Sequence, residues 1–199
     1  MSTLVLLDTN AYLRLAKRVR PFVGRQFGQK PYVITILKAV EDEVHAGARL
    51  KFQYPWFDND EFASERLAKA IRLSASDRKN MEIAQGVLHG MAQADLTKYT
   101  TEGRSPPGMT DCWVLAFGHV KEAIVVTDDL GMHSLANDFG ISVWHVYELL
   151  DKLRSAKVVT RELIIEIYEA LEVNRDLTST WLEAKHTIFA RIFGAKRSD

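Results

Sequence analysis

The chain has 199 residues, of which 47% are hydrophobic, and its 26 basic and 26 acidic side chains give a formal net charge of zero at pH 7. This length and hydrophobic content indicate a folded chain with a core of its own, and the zero net charge argues against a polyanion-binding protein that relies on bulk charge. The only cysteine, Cys112, excludes an internal disulfide and argues against a cysteine-based zinc site. A single cysteine also favours a reducing, cytoplasmic location.

The N-terminal residues and the apolar runs predict no membrane partner. The chain begins "MSTLVLLDTN", which lacks the basic region and long apolar region of a signal peptide. No apolar run reaches the roughly 20 residues that a membrane-spanning helix needs.

The charges are unevenly distributed along the chain. Residues 1–54 carry nine Lys/Arg against four Asp/Glu, and residues 55–147 carry eight against thirteen. We therefore expect a basic first quarter beside a more acidic middle.

In chain order, the first half of the sequence predicts two strands, each followed by a helix. "TLVLLD" is uniformly apolar up to its last residue, as in a parallel strand covered on both faces. Helix stops at Pro21 and Gly47 follow the two helical stretches. The predicted elements are a strand at 3–8, a helix at 10–20, a strand at 32–35, a helix at 36–47 and a loop at 48–60.

The second half continues the alternation and then becomes wholly helical. Its predicted elements are helices at 61–73 and 77–98, a loop at 100–109, a helix at 110–120, a strand at 122–127, a helix at 130–140 and a strand at 141–144. Strands that alternate with helices favour an α/β fold of three layers, α/β/α, with a central parallel sheet. We assign this domain to residues 1–147 and a C-terminal helical extension, packed on the domain or on a partner, to residues 148–199.

Acidic residues cluster where the predicted strands end. Asp8 ends the first strand, and Asp128 and Asp129 follow the strand at 122–127. Glu43 lies two turns into the second predicted helix, and Asp111 lies in the first turn of a later helix. Ligands of parallel sheets bind at the carboxyl ends of the strands, where these acids would meet. Clustered carboxylates repel each other unless a cation is present, and oxygen-only ligands suit Mg²⁺ or Mn²⁺.

Four short motifs carry a family resemblance. They occur in the order "LLDTN", "AVEDEV", "MTDCWVLAFG" and "VVTDD". They resemble the four acidic motifs of the PIN-domain family, which includes VapC-type toxins of toxin–antitoxin modules and other single-strand nucleases. The resemblance covers roughly residues 1–147 and implies a PIN-like fold.

The resemblance assigns roles to individual residues. The four catalytic and metal-binding acids fall on Asp8, Glu43, Asp111 and Asp129, and Asp128 assists as a further metal ligand. Asn10 and Thr127 match the small polar residues that support the first and last acids. The second motif leaves a choice between Glu41, Asp42 and Glu43, because Glu41 and Glu43 lie about 200° apart on a helix; we prefer Glu43.

The resemblance also implies an activity and partners. It implies a Mg²⁺- or Mn²⁺-dependent endoribonuclease that hydrolyses phosphodiester bonds in single-stranded or structured RNA. Four basic side chains are candidates for binding the phosphates of the RNA: Arg14, Lys17, Arg18 and Arg104. The family further implies a homodimer, and an antitoxin protein is the expected partner if the chain is a toxin. A housekeeping RNA-processing nuclease fits the same residues.

Other readings of these residues remain open. Asp8 and Asp111 each fit a helix N-cap or first-turn position without any catalytic role, and at least one of Asp128 and Asp129 fits a cap of the helix at 130. A dinucleotide-binding domain would need a glycine-rich turn after the first strand, and "LLDTNAYL" has none. A non-catalytic PIN-fold module that binds RNA or protein is the alternative function from a different class.

Overall fold

A computed structural model describes residues 2–100 and 105–194 of the chain. The described residues form two compact units. One comprises the residues up to Trp144 apart from Phe27–Gln29, and the other comprises Phe27–Gln29 and the residues from His145 onward.

The elements up to Trp144 alternate between strands and helices. They are β1 (Thr3–Leu7), α1 (Thr9–Leu15), β2 (Gln26–Phe27), β3 (Tyr32–Thr35), α2 (Lys38–Ala46), α3 (Ala48–Gln53), a 3-10 helix (Pro55–Asp58), α4 (Asp60–Ala68), α5 (Ala75–Ala94), α6 (Leu96–Tyr99), α7 (Met109–Val120), β4 (Ile124–Val126), α8 (Leu130–Asp138) and β5 (Val143–Trp144). The predicted α/β class with a central parallel sheet is confirmed, and helices on both faces of the sheet complete the three layers.

The sheet has the order β2-β3-β1-β4-β5. β1 pairs in parallel with both β3 and β4, and β4 pairs in parallel with β5. Leu7 lies opposite Val126 in this register. Asp8 and Thr127 are therefore the first residues beyond two adjacent parallel strands, at the same edge of the sheet.

The core explains why β1 and β4 are so uniformly apolar. Val5, Leu6 and Leu7 are fully buried, as are Val125 and Val126. α7 packs closely on β4 at Gly118, where an added Cβ would lie 2.7 Å from Val125 Cγ2. A larger residue at 118 would push the two elements apart, and with them the first turn of α7.

The prediction of a loop at 48–60 was wrong. Residues 48–53 form α3, and Pro55 opens the 3-10 helix in a position where its missing N–H leaves no hydrogen bond unmade. Phe57 is buried in this segment and packs edge to face on Tyr12 at a ring-centroid distance of 5.8 Å. The loop prediction relied on Pro55 and ignored this aromatic packing, which stabilises the helical structure of the segment.

Arg66 joins this segment to α1 and α2. Its side chain is buried, and its Nε donates to Glu41 Oε1 at 2.5 Å. Its Nη1 donates to the Phe57 carbonyl at 2.9 Å and to the Tyr12 hydroxyl at 3.2 Å. The guanidinium also lies 3.8 Å from the centre of the Phe57 ring. One buried cation therefore ties together four separate segments of the chain.

We expect Arg66→Ala to lower the free energy of unfolding by about 3 kcal/mol, because it removes the hydrogen-bond donor of Glu41 and of the Phe57 carbonyl. Urea denaturation measures this loss. Arg49→Ala, which changes an exposed arginine of α3, is the control and should cost little. A loss below about 1 kcal/mol for Arg66→Ala would show that the buried network contributes no net stability.

The second unit is helical in the part that the structure describes. Its helices are α9 (Val146–Ser155), α10 (Arg161–Val173), α11 (Ser179–His186) and α12 (Ala190–Phe193). Trp181 is fully buried and packs edge to face on Tyr168 at 5.3 Å and on Tyr147 at 5.7 Å. The Tyr168 hydroxyl donates to the Trp181 carbonyl at 3.1 Å. The predicted C-terminal helical extension is confirmed, and it has its own aromatic core.

Within the described residues, none of the helices has the length and apolar character needed to cross a membrane.

Candidate active site at the carboxyl edge of the sheet

Asp8 lies at the centre of the edge where β1 and β4 end. Its backbone N–H donates to the Val126 carbonyl at 3.1 Å, which extends the β1–β4 pairing by one residue. Its Oδ1 accepts from the Ala11 N–H at 2.6 Å and so caps α1. The side chain is 5% exposed, and burial raises the pKa of Asp8 to about 7. The aspartate is thus both the helix cap that local rules favour and a carboxyl poorly solvated by water.

Thr127 and Asp129 occupy the end of β4. The buried Thr127 hydroxyl accepts from the Asp129 N–H at 3.0 Å and donates to Met132 Sδ at 3.4 Å, and its interaction with the Asp8 carboxyl opposes the rise in the pKa of Asp8. Asp129 Oδ1 in turn caps α8 by accepting from the Met132 N–H at 2.9 Å. Thr127 therefore holds the first and fourth predicted acids in a fixed relation.

Asp111 lies in the first turn of α7. Its Oδ2 accepts from the Gly108 N–H at 2.9 Å, which fixes the start of the helix. Burial, and to a smaller extent repulsion from the carboxylates of Asp129 and Glu43, together raise the pKa of Asp111 to about 6. A first-turn acid is ordinarily stabilised by the helix dipole, so this upward shift marks a buried site that is shared with other acids.

The two glutamates of α2 face different surroundings. Glu41 receives the hydrogen bond from buried Arg66. Glu43 accepts from the Thr9 hydroxyl at 2.5 Å, and Thr9 is the residue next to Asp8. Since the two glutamates lie about 200° apart on the helix, only Glu43 faces the edge that carries Asp8. This geometry favours Glu43 as the second acid, and Asp42 between them is exposed.

Asp128 pairs with a basic residue predicted to bind substrate. Arg14 Nη1 donates to Asp128 Oδ2 at 2.5 Å, and the two side chains are only 11% and 4% exposed. Asp128 also raises the pKa of Asp8 by repulsion. The ion pair therefore lies within electrostatic range of Asp8.

The structure brings five predicted acids into one electrostatically coupled set, which we call the carboxylate group: Asp8, Glu43, Asp111, Asp128 and Asp129. Asp8 is coupled to Asp111 and Asp128, and Asp111 is coupled to Glu43 and Asp129. The members come from β1, α2, α7 and the junction of β4 with α8, so chain segments more than 100 residues apart meet at one edge of the sheet.

Over residues 2–100 and 105–194, no three His, Cys, Asp or Glu side chains are placed so that they could hold a metal ion together. Three of the acids are instead turned toward backbone N–H groups, where Asp8, Asp111 and Asp129 each accept one hydrogen bond. Joint ligation by these acids therefore requires side-chain rotation, or use of the second carboxylate oxygen.

Four further site residues were predicted from the sequence: Asn10, Lys17, Arg18 and Arg104. Asn10 lies in the first turn of α1 and is exposed, as is Lys17 just beyond the end of this helix. Arg18 is half-buried. Arg104 lies outside the described residues.

Sequence reasoning missed Thr9. It is buried, and its hydroxyl supplies the direct link between α1 and Glu43. Its position in "DTN", directly after the first acid, is the sequence feature that could have identified it. His133 is a second residue close to the site, with Nε2 2.9 Å from the Thr127 carbonyl.

Comparisons with known proteins give little further guidance. No family model and no curated protein sequence matches the chain. Among solved structures, the crystal structure of FitAcB from Neisseria gonorrhoeae is similar to this chain with a TM-score of 0.45 and 11% sequence identity, covering 72% of this chain and 98% of that one. A likeness of this size establishes neither a family nor a function for this chain.

Proposed function

We propose that the protein is a divalent-cation-dependent nuclease that hydrolyses phosphodiester bonds in single-stranded or structured RNA. The carboxylate group is the observation that supports this proposal most. Five neighbouring acids, two of them with a raised pKa, lower the stability of the protein in the absence of a cation. Binding of a cation would offset this cost and is the simplest explanation for the cluster.

The chemistry of the donors fits Mg²⁺ or Mn²⁺. All five side chains offer hard carboxylate oxygens. Asp8 and Asp111 lie in surroundings that disfavour the ionised form, and a cation reverses that preference. Asp8, Glu43, Asp111 and Asp129 would hold the ion, which when bound activates a water molecule and offsets charge on the phosphate.

The chain's own residues keep these acids in place. Thr127 holds Asp8 through its hydroxyl and Asp129 through the backbone, and Thr9 orients Glu43. The helix caps made by Asp8 and Asp129 fix their side chains on the first turns of α1 and α8. These contacts keep the acids at one edge of the sheet, from which side-chain rotation or the second carboxylate oxygen would bring them to a cation.

The proposal extends to substrate and partners on the strength of the family resemblance. Arg14, Lys17 and Arg18 belong to one short basic stretch that starts in α1, the helix capped by Asp8, and they are our candidates for contact with RNA phosphates. Homodimerisation, and an antitoxin partner if the protein is a toxin, are parts of the same proposal.

The direct test is cleavage of labelled single-stranded RNA by purified protein with Mg²⁺, with Mn²⁺ and with EDTA. We expect cleavage that needs the cation and that disappears in Asp8→Asn and Asp129→Asn, since both substitutions keep a helix-capping side chain. Equal residual cutting by wild type and variants would indicate a contaminant. Absence of cleavage with any cation, together with RNA binding, would favour a non-catalytic module.

The two glutamates of α2 give a paired prediction. We expect Glu43→Gln to reduce cleavage at least about tenfold with little change in stability, because it removes a cation ligand. Glu41→Gln should instead lower the free energy of unfolding by about 1–3 kcal/mol, because it weakens the partner of buried Arg66. Cleavage rates and urea denaturation of both variants measure the two effects. A larger loss of cleavage in Glu41→Gln would reverse our assignment of the second acid.

A further inference from the structure

The adjacent acids Asp128 and Asp129 have different partners. Asp129 caps α8 through the Met132 N–H and lies in electrostatic range of Asp111. Asp128 accepts a hydrogen bond from Arg14, which lies 114 residues away in the last turn of α1. The two acids are therefore not interchangeable as ligands of a cation.

The Arg14–Asp128 pair is nearly buried, with side-chain exposures of 11% and 4%. In such surroundings neither charge is well solvated, so loss of this charge-assisted hydrogen bond carries a high cost for the side chain that remains. If the Asp128 side chain rotated to ligate a divalent cation, its hydrogen bond with Arg14 would break. The Arg14 guanidinium would then lie beside the cation without the Asp128 carboxylate. Repulsion between these positive charges opposes such a rearrangement.

We infer that Asp128 is the positioning residue of Arg14 rather than a cation ligand, and that Arg14, held in this way, contacts a phosphate of the RNA beside the carboxylate group. This inference rests on the proposed nuclease function. A phosphate that approaches five carboxylates meets a strongly repulsive field, which one divalent cation offsets only in part. A guanidinium presents five N–H donors in a planar fork that suits phosphate oxygens. Arg14 belongs to α1, the helix that Asp8 caps, and Asp128 directly precedes Asp129, so the pair lies beside the carboxylate group.

The first test is Mn²⁺ affinity, which needs no catalytic activity. The double variant Arg14→Gln/Asp128→Asn removes one charge of each sign, so it keeps the net charge of the site and replaces the ion pair with two neutral side chains. We expect its Mn²⁺ affinity to stay within about threefold of wild type, whereas Asp129→Asn should weaken binding at least about tenfold. Asp128→Asn alone is the weaker test, because it removes the carboxylate that accepts from the nearly buried Arg14 and so lowers stability.

The second test is steady-state cleavage of RNA. We expect Arg14→Gln and the double variant to raise KM by roughly tenfold while kcat stays within about threefold, because the lost contact binds the phosphate rather than the reacting water. The double variant should be no worse than Arg14→Gln, since each loses the same contact. Asp151→Asn/Arg154→Gln, which removes an ion pair of α9 at 2.7 Å, is the matched control.

The outcomes separate this inference from the nuclease proposal. If the double variant loses Mn²⁺ affinity as strongly as Asp129→Asn, Asp128 is a ligand and the inference is overturned while the nuclease proposal stands. Unchanged KM in Arg14→Gln would overturn the role of Arg14 in the same way. Wild-type protein that neither binds Mn²⁺ nor cleaves RNA would overturn both proposals together.

Discussion

Asp8→Asn is expected to be more stable than the wild type in the absence of divalent cations and to cleave RNA at least about 100-fold more slowly. The opposite signs of these two effects are what separate a functional acid from a structural one. If Asp8 served only as the cap of α1, its replacement by asparagine would leave both properties nearly unchanged, because asparagine caps helices equally well.

The gain in stability follows from the surroundings of Asp8. Asp8 is 5% exposed, and desolvation raises the pKa of its carboxyl to about 7. Asparagine keeps an oxygen to accept from the Ala11 N–H and an amide to donate to the Thr127 hydroxyl, while the repulsion from Asp111 and Asp128 disappears. We expect a gain of about 1–2 kcal/mol near pH 8, where the wild-type carboxylate is ionised.

Chemical denaturation in EDTA measures the stability of both proteins, and cleavage assays with Mn²⁺ measure the loss of activity. Glu82→Gln, which removes an exposed acid from α5, is the charge-matched control and should change neither quantity. An Asp8→Asn variant that is less stable than wild type in EDTA would show that the carboxylate stabilises the empty protein, contrary to our account.

The second large effect is a dependence of stability on pH that a divalent cation removes. Asp8 and Asp111 have pKa values raised from 3.8 to about 7 and about 6. The folded protein therefore holds protons that the unfolded chain releases, and the stability that these protons provide is lost as pH rises from about 4 to about 7. We expect the free energy of unfolding in EDTA to fall by about 1–3 kcal/mol over this range.

Mn²⁺ should reverse this trend, because the cation binds the ionised carboxylates and competes with protons. Thermal or urea unfolding across this pH range, with EDTA and with Mn²⁺, measures both curves. Asp8→Asn/Asp111→Asn should show a flatter curve in EDTA and little response to Mn²⁺. Stability that rises toward neutral pH in EDTA, with no response to Mn²⁺ in the wild type, would contradict the account.

The sheet and the placement of its terminal acids could be predicted from the sequence. "TLVLLD" and "EAIVVT" are apolar throughout because both faces of β1 and β4 are buried, and a buried run that ends in an acid marks the carboxyl edge of a parallel sheet. Asp8 and Asp129 are found at that edge for this reason. Glu43 and Asp111 lie on helices that the predicted sheet could bring to the same edge, and the family resemblance assigned them as the second and third acids.

The pairings within the site could not be predicted. Arg14 and Asp128 are 114 residues apart, and Thr9 and Glu43 are 34 apart, so each contact depends on how helices pack rather than on local sequence. Helical spacing separates Glu41 from Glu43 but does not say which one faces Asp8. That choice depends on Arg66, whose burial against Glu41 is a property of the assembled fold.

The decisive experiment measures Mn²⁺ binding to the wild type and to Asp8→Asn by electron paramagnetic resonance at about pH 8, where both acids with a raised pKa are ionised. We expect saturable binding to the wild type and an affinity at least about tenfold weaker in the variant. Equal binding by the two proteins, or no saturable binding to either, would contradict the claim that the carboxylate group is a cation site.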